Sequence, residues 1–415
     1  MLDIQIKKKN SAILILNIFL IQLFTSVILY YLHLISNYFL IWSVVYYVLT
    51  FFCAIAQSGI SDSFGRKKNL FTASLSVLLA GLYLGIMFFI DIKNIQFHSF
   101  LLKEFLGVFP ICFFLGISGN AIPIARAGIA DLKIHDFRTA MGWSTIAIGF
   151  GWIAAVLLGL ILSFWKVLFT IIFLQLLILY IIKKKFIDSK DNIRKTSKDF
   201  KKIFNVISNS YKWFGSMFLT AGGSAAILAY LLSETTFYQI FSSNEIELQS
   251  LSIKIAGVLM AVGYALGVLI QWIMSFSDKK GIKYGIIISL ISLFILFAFN
   301  NLYGKFDFFY FSLKNSITLK GFFEFFFAFG NGFFVPSLFS LMSKKLKVNH
   351  FGKLFGAIDS TDTLALGFSF FTFYLKNKLI LFKNYNNFFS VFLFIISCIF
   401  YIIVIKKFSS YEKKS

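Results

Sequence analysis

The chain alternates long apolar stretches with short polar segments along its whole length. A helix rises about 1.5 Å per residue, so roughly 20 mostly apolar residues cross a hydrocarbon core of about 30 Å. Twelve stretches meet this requirement, and the fifth and sixth are separated only by the segment SFWK. We therefore expect membrane-spanning helices at residues 11–34, 38–60, 70–90, 105–130, 139–162, 164–182, 213–233, 255–276, 284–302, 319–342, 356–375 and 386–405.

The basic residues predict how these helices are oriented. Cytoplasmic loops of membrane proteins contain an excess of Lys and Arg. If the N-terminus is cytoplasmic, three quarters of the 40 Lys and Arg residues fall in segments that face the cytoplasm. We therefore expect both termini to be cytoplasmic. The same bias explains the net charge of +22 without nucleic-acid binding, since no polar stretch is long enough to form a soluble basic domain.

Composition and short motifs narrow the class of protein further. Hydrophobic residues make up 58% of the chain and charged residues only 14%, which is typical of an integral membrane protein. The three cysteines lie in apolar stretches without CxxC spacing, so no disulfide or metal site is predicted. Walker A, HExxH and GxSxG sequences are absent. The sequence therefore predicts neither ATP-driven transport nor an enzyme, and no cofactor.

The chain repeats itself across its longest polar segment, residues 183–212. SDSFGRK after the second stretch matches SDKKGIK after the eighth, and FRTAMG before the fifth matches FGKLFG before the eleventh. Gly119 and Pro123 of the fourth stretch likewise match Gly332 and Pro336 of the tenth. We predict an all-α integral membrane protein of twelve transmembrane helices in two pseudo-symmetric six-helix bundles. Its expected divisions are an N-terminal bundle at 1–182, a basic cytoplasmic linker at 183–212 and a C-terminal bundle at 213–415.

Twelve helices, a basic central loop and the segment SGISDSFGRKKNL together resemble the major facilitator superfamily (MFS), over essentially the whole chain. The family's loop sequence is GxxxD(R/K)xGR(R/K). Its Asp, second Gly, Arg and following basic residue are present, whereas Ser58 and Ser63 depart from it. In the second copy Ile282 stands at the Arg position. The resemblance implies two bundles that rock about a central solute site and open it alternately to each side of the membrane.

The resemblance also implies that this loop controls the movement. Asp62 is expected to face the N-terminal end of a helix in the other bundle, and Arg66 to pair with Asp131 at the end of the fourth helix. Gly65 permits the tight turn between helices. The predicted gating set is completed by Lys67, Asp278 and Gly281. The alternative is a loop whose charges serve only the cytoplasmic positive bias.

Ionisable residues inside the membrane are the candidates for solute and proton binding. Asp359 and Asp362 lie three residues apart, on one face of the eleventh helix. Two carboxylates this close disfavour double ionisation, which suits one of them to carry a proton or pair with a cationic solute. The alternative is a gate contact with Lys353 or the loop. Uncharged polar residues are further candidates for lining a cavity, although each also suits a helix contact: Asn17, Gln22, Asn120 and Asn331.

Arg126, near the inner end of the fourth helix, is expected to extend its side chain to the membrane surface. The whole pattern predicts a secondary active transporter in a bacterial cytoplasmic (inner) membrane. We expect a monomer that takes up a small polar metabolite together with protons. An exporter of a metabolite, siderophore or drug is one alternative, and a non-transporting sensor or assembly factor on the same scaffold is another.

Overall fold

A computed structural model of the chain describes most of its first half and parts of its second. The described residues are 2–36, 38–90, 100–132, 137–188, 259, 262–274, 277–303, 325–337, 340, 351–352, 354–360, 363–364, 367, 371 and 399. All statements below concern these residues. The predicted seventh stretch lies outside them, as does the twelfth apart from residue 399.

The first half forms membrane-spanning helices at the predicted places. Its helices are α1 (Leu2–Ile35), α2 (Phe39–Phe64), α3 (Arg66–Phe89), α4 (Phe100–Ser118), α5 (Ala121–Asp131), α6 (Phe137–Ile161) and α7 (Phe164–Lys185). They provide six spans that are long and apolar enough to cross a membrane, with α4 and α5 sharing one span. The weakly marked division between the fifth and sixth stretches is confirmed, because Leu162 and Ser163 separate α6 from α7. Helix α1 begins well before its predicted start at residue 11.

The described part of the second half agrees with the eighth to eleventh stretches. We name its helices α8 (Val262–Ile273), α9 (Asp278–Tyr303) and α10 (Phe325–Ser337). The helical residues 351–352 and 354–360 form α11.

Helix α1 lies at the centre of the first half. Leu14, Ile18, Phe24 and Ile28 along its length are almost fully buried, and α1 packs against α3, α5 and α6. Helices α3 and α7 pack against each other, and α7 exposes large apolar side chains such as Phe173. Such a surface is unfavourable in water but suits contact with lipid.

The fourth span is interrupted, whereas the sequence predicted one continuous helix at 105–130. A turn at Gly119 and Asn120 separates α4 from α5. Pro123 has no N–H to donate to the carbonyl of Gly119, four residues earlier, so the helical hydrogen-bond ladder is locally broken. Gly119 also lies directly against Thr50 of α2.

The repeat seen in the sequence recurs in the packing. Gly332 of α10 lies against Gly267 of α8, where a Cβ added at Gly332 would be 3.0 Å from the Cα of Gly267. Gly119 of the fourth span approaches α2 of the second span in the same manner. In each half, therefore, a glycine of the fourth helix allows close contact with the second helix.

Candidate functional site

The loop between α2 and α3 holds a buried cluster of charged residues. Gly65 forms the turn with a φ of 90°, a conformation that favours glycine. The Arg66 side chain is only 3% exposed and donates from Nη2 to Asp62 Oδ1 at 2.6 Å and from Nε to Asp131 Oδ2 at 2.8 Å. It also donates to the hydroxyl of Ser61. The Arg66–Asp131 pair expected from the sequence is therefore present.

Asp62 connects this cluster to the second half of the chain. The backbone N–H of Gly352 in α11 donates to Asp62 Oδ1 at 2.9 Å. A helix N–H that bonds outside its own helix is typical of the first turn. A Cβ added at Gly352 would lie 2.6 Å from both Asp62 Oδ1 and Arg66 Nη1, so only glycine fits there.

Beyond Asp62, the two halves stay in contact along α2 and α11, which we call the α2–α11 seam. A Cβ added at Gly356 would be 2.7 Å from both the Ala54 carbonyl oxygen and the Ser58 Cβ. Further along, Ser360 Oγ donates to the Phe51 carbonyl at 3.2 Å. Residues from 51 to 62 of α2 therefore line a closed contact between the halves.

A second contact closes the same end of the molecule, and we call it the α6–α8 seam. Ile146 of α6 is buried in a cluster with Ala265 and Val268 of α8. Nearby, a Cβ added at Gly142 would be 2.7 Å from Val268 Cγ1. This seam is apolar, in contrast to the charged cluster of the α2–α11 seam.

The second copy of the loop sequence makes different contacts. Asp278 Oδ2 accepts a hydrogen bond from Ser340 Oγ at 3.0 Å, and both residues belong to the second half. Gly281 lies against Ser337 and Gln271. Ile282, at the Arg position, is buried in the apolar core. Asp278, Gly281 and Ile282 lie in the first turns of α9, and among the described residues they form no arginine-centred cluster like that of the first copy.

Among the described residues, an ion pair joins the two halves at a depth that we expect to lie within the membrane. Arg126 Nη1 of α5 lies 2.5 Å from Asp359 Oδ1 of α11, and the side chains are 4% and 12% exposed. Arg126 Nε also donates to Ser144 Oγ of α6 at 3.3 Å. The other carboxylate oxygen, Asp359 Oδ2, is buried without a hydrogen-bond partner among the described residues. The expectation that Arg126 reaches the membrane surface is wrong, because its charge is paired across the two halves instead.

The ion pair lies deeper than the charged loop. Arg126 precedes Asp131 by five residues, which corresponds to about 7.5 Å along the helix. Asp362, the predicted neighbour of Asp359, lies outside the described residues.

The uncharged candidates lie in several places. Asn17 is buried and accepts from Ser74 Oγ of α3 at 3.0 Å, so it joins two helices of the first half. Gln22 donates to Ser26 Oγ at 3.1 Å, one turn along α1. Asn120, in the break of the fourth span, donates to Gln57 of α2 and leaves its buried Oδ1 without a partner in the described part of the chain. Asn331 is half-buried in α10. Of the candidates that the structure describes, only Asp359 takes part in the intramembrane ion pair.

Two acidic residues were missed by the sequence analysis. Asp188, just after α7, accepts the backbone N–H groups of Arg66 and Lys67 at 3.1 and 3.0 Å. Burial raises the pKa of the Asp188 carboxyl, an effect that outweighs these two donors and the nearby positive charges. Glu104, at the opposite end of the bundle, accepts from Ser36 Oγ at 2.6 Å and from Trp42 Nε1 at 2.8 Å. No local motif marks either residue.

Comparisons with known proteins identify the architecture. A sequence model of the Major Facilitator Superfamily matches residues 10–370. No curated protein matches the chain in a sequence comparison.

Solved structures share the fold at low sequence identity. A bacterial homologue of the iron transporter ferroportin, in an outward-facing state, has a TM-score of 0.71 and 13% identity, covering 97% of this chain and 99% of that one. A D-xylose–proton symporter has a TM-score of 0.65 and 16% identity, covering 95% and 96%. The xylose transporter XylE from E. coli, in a partially occluded inward-open conformation, has a TM-score of 0.58 and 15% identity, covering 97% and 98%. The chain, a multi-pass membrane protein with this fold, belongs to the major facilitator superfamily of transporters.

Proposed function

We propose that the protein is a secondary active transporter that takes up a small polar solute together with protons. The single observation that carries this proposal is the buried ion pair between Arg126 and Asp359, which joins the two halves of the chain. A buried pair at a moving interface links the ionisation of its members to the conformation of the protein.

The described conformation is closed at the end that we expect to face the cytoplasm. Opening this end separates α5 from α11 and so removes Arg126 from Asp359. An unpaired carboxylate in a poorly hydrated site is unfavourable. Addition of a proton to the unpartnered Oδ2 of Asp359 neutralises it, while Arg126 retains its hydrogen bond to Ser144. Protonation of Asp359 therefore favours opening toward the cytoplasm and the release of solute there.

The charged loop sets how readily this opening occurs. Asp62 accepts the Gly352 N–H only while the α2–α11 seam is closed, and Arg66 donates to Asp62 and so orients this acceptor. In lipid the two bundles gain little hydrophobic energy from joining, so a few polar contacts decide which state is preferred. The proposed gating set comprises Asp62, Gly65, Arg66, Lys67, Asp131, Asp278 and Gly281.

The remaining expectations complete this proposal. The transporter is a monomer in a bacterial cytoplasmic membrane with both termini inside, and its bundles are divided at residues 183–212. Asn120 and Asn331 join Asp359 and Asp362 as candidates for solute contact, because the first two lie beside the matched glycines Gly119 and Gly332 of the fourth span and α10. Gln22 and Asn17 of α1 are the secondary candidates.

A two-step experiment tests the proposal. Purified protein is first screened by thermal shift against amino acids, sugars including D-xylose, nucleosides, carboxylates, siderophores and ferrous iron. Any stabilising compound is then supplied in radiolabelled form to proteoliposomes with an imposed pH gradient. We expect accumulation when the external solution is more acidic, and loss of this gradient-driven accumulation in Asp359→Asn.

The outcomes separate the alternatives. Accumulation driven by the opposite gradient indicates an exporter, and binding without flux under any gradient indicates a sensor. Gradient-driven accumulation that survives in Asp359→Asn contradicts the coupling role of the ion pair.

A further inference from the structure

The residues directly after α7 fold back onto the ends of α1 and α3. Phe186 is buried in the core. Asn10 of α1 donates from Nδ2 to the Ile187 carbonyl at 2.7 Å, and its Oδ1 accepts the Ile187 N–H at 3.4 Å. Asp188 then reaches α3. The start of the polar segment that follows α7 is therefore attached to the N-terminal bundle.

Asp188 caps the N-terminus of α3, which has no capping side chain from the residue that precedes the helix. The first N–H groups of a helix have no acceptor within the helix, and a side chain just before it usually supplies one. Here the preceding residue is Gly65, and no side-chain cap is present. Asp188 instead accepts the N–H groups of Arg66 and Lys67, from a position 122 residues away from Arg66 in the chain. A Cβ at residue 65 would lie 2.8 Å from Asp188 Oδ2, so the glycine makes room for the carboxylate.

The capped turn carries the arginine at the centre of the charged cluster. Arg66 is the first residue of α3, and its guanidinium contacts both Asp62 and Asp131. Asp62 uses the same Oδ1 atom to accept from Arg66 and from Gly352. Fixing the backbone of Arg66 therefore fixes the orientation of the carboxylate that meets the second half.

We propose that Asp188 is a positioning residue of the gate, which holds the first turn of α3 so that Arg66 presents Asp62 to Gly352. This inference rests on the alternating-access movement proposed above. Only the closed seam needs Asp62 in one orientation. A first turn of α3 that is already ordered before the seam closes therefore favours the closed state more than the open one. Without Asp188 the turn would have to become ordered each time the seam closes. Loss of the Asp188 carboxylate should therefore open the gate more often.

Ser58 offers a direct measure of opening. It is fully buried at the α2–α11 seam, and its Oγ has no hydrogen-bond partner among the described residues, so replacement by cysteine breaks no side-chain hydrogen bond there. The reporter variant Ser58→Cys is placed in a background in which the three native cysteines are replaced. A membrane-impermeant maleimide is added to inside-out vesicles, and the labelling rate is measured without solute or pH gradient.

We expect Asp188→Ala to raise the labelling rate on the order of 5-fold, within the range of effects that follow loss of a helix cap. Asp188→Asn keeps an acceptor without the charge and should give a smaller increase. Asp191→Ala is the matched control, because it removes the same side chain three residues further along, and it should leave the rate unchanged. Asp62→Ala removes the seam contact itself and serves as the positive control.

Three results would overturn the inference. If Asp188→Ala is labelled at the parental rate while Asp62→Ala is labelled faster, the role of Asp188 is refuted but the proposed gate is not. Equal increases in Asp188→Ala and Asp191→Ala show that charge in the segment matters and not the contact with α3. No increase in any variant, including Asp62→Ala, refutes the proposed gate together with this inference. A melting temperature measured for each variant confirms that the labelled protein is folded.

Discussion

Replacement of Asp359 by Asn tests whether the intramembrane ion pair controls the gate. The substitution preserves the size of the side chain but removes its charge, leaving Arg126 buried without its ionic partner. Breaking a buried ion pair by removing one member typically costs about 3–5 kcal/mol. Both side chains here are almost fully buried and their charged atoms are 2.5 Å apart, so we expect the full effect. In the open state Arg126 can be hydrated, and the penalty there is smaller.

The substitution should therefore shift the equilibrium from closed to open by about 10²-fold or more, since each 1.4 kcal/mol corresponds to a factor of ten. The Ser58→Cys labelling rate should rise accordingly in Asp359→Asn. The double variant Asp359→Asn with Arg126→Gln removes both charges, and its labelling rate should return toward the parental value. Proton-driven accumulation of the solute found by thermal shift should be lost in both variants.

The recovery in the double variant makes this test specific. A general packing defect at residue 359 would not be repaired by a second substitution in another helix. Slow labelling in Asp359→Asn, or equally fast labelling in the single and double variants, would refute the reasoning from buried charge.

Asp62→Asn should slow solute flux while leaving membrane insertion intact, because the neutral side chain binds the Gly352 N–H more weakly; flux at the parental rate in proteoliposomes would contradict this. Gly352→Ala should hold the seam open, since no space exists for a Cβ, and should therefore raise the labelling rate of Ser58→Cys. Gly159→Ala is the control and should leave this rate unchanged, because a Cβ there meets nothing within 4 Å. Glu104→Ala should lower the melting temperature by several degrees, because it leaves the buried Ser36 hydroxyl and the partly buried Trp42 N–H without their acceptor, at about 1–3 kcal/mol for the buried donor. Glu104→Gln keeps an acceptor and should lower it less.

The sequence predicted the spans that the structure describes well, because their signal is local. A run of about 20 apolar residues is sufficient to identify a membrane helix, and neither partners nor topology need to be known. The cluster around Arg66 could also be predicted from the sequence, since Asp62 and Gly65 lie within one short segment. The interruption at Gly119 was not predicted, because a proline does not always break a transmembrane helix. Its cause is nevertheless local, namely the absent N–H of Pro123.

The interactions that the sequence did not reveal join residues far apart in the chain. Arg126 and Asp359 are separated by 233 positions. Considered alone, an arginine near a helix end is expected to reach the membrane surface, and only the packing of α5 against α11 places a carboxylate beside it. Asp188 similarly lies in a lysine-rich segment, where one acid has no distinctive pattern. Such pairs depend on how the helices are arranged, which single-residue properties do not specify.

The two seams close the same end of the molecule by different kinds of force. Hydrogen bonds at the α2–α11 seam are directional, so Asp62 and Gly352 are either aligned or separated. Apolar contacts at the α6–α8 seam are non-directional and tolerate gradual displacement. Opening should therefore begin with small sliding of α6 past α8 and become complete only when the hydrogen bonds of α2 break in one step. The barrier between the closed and open states then arises at the α2–α11 seam. Labelling of Ser58→Cys should therefore follow a single exponential.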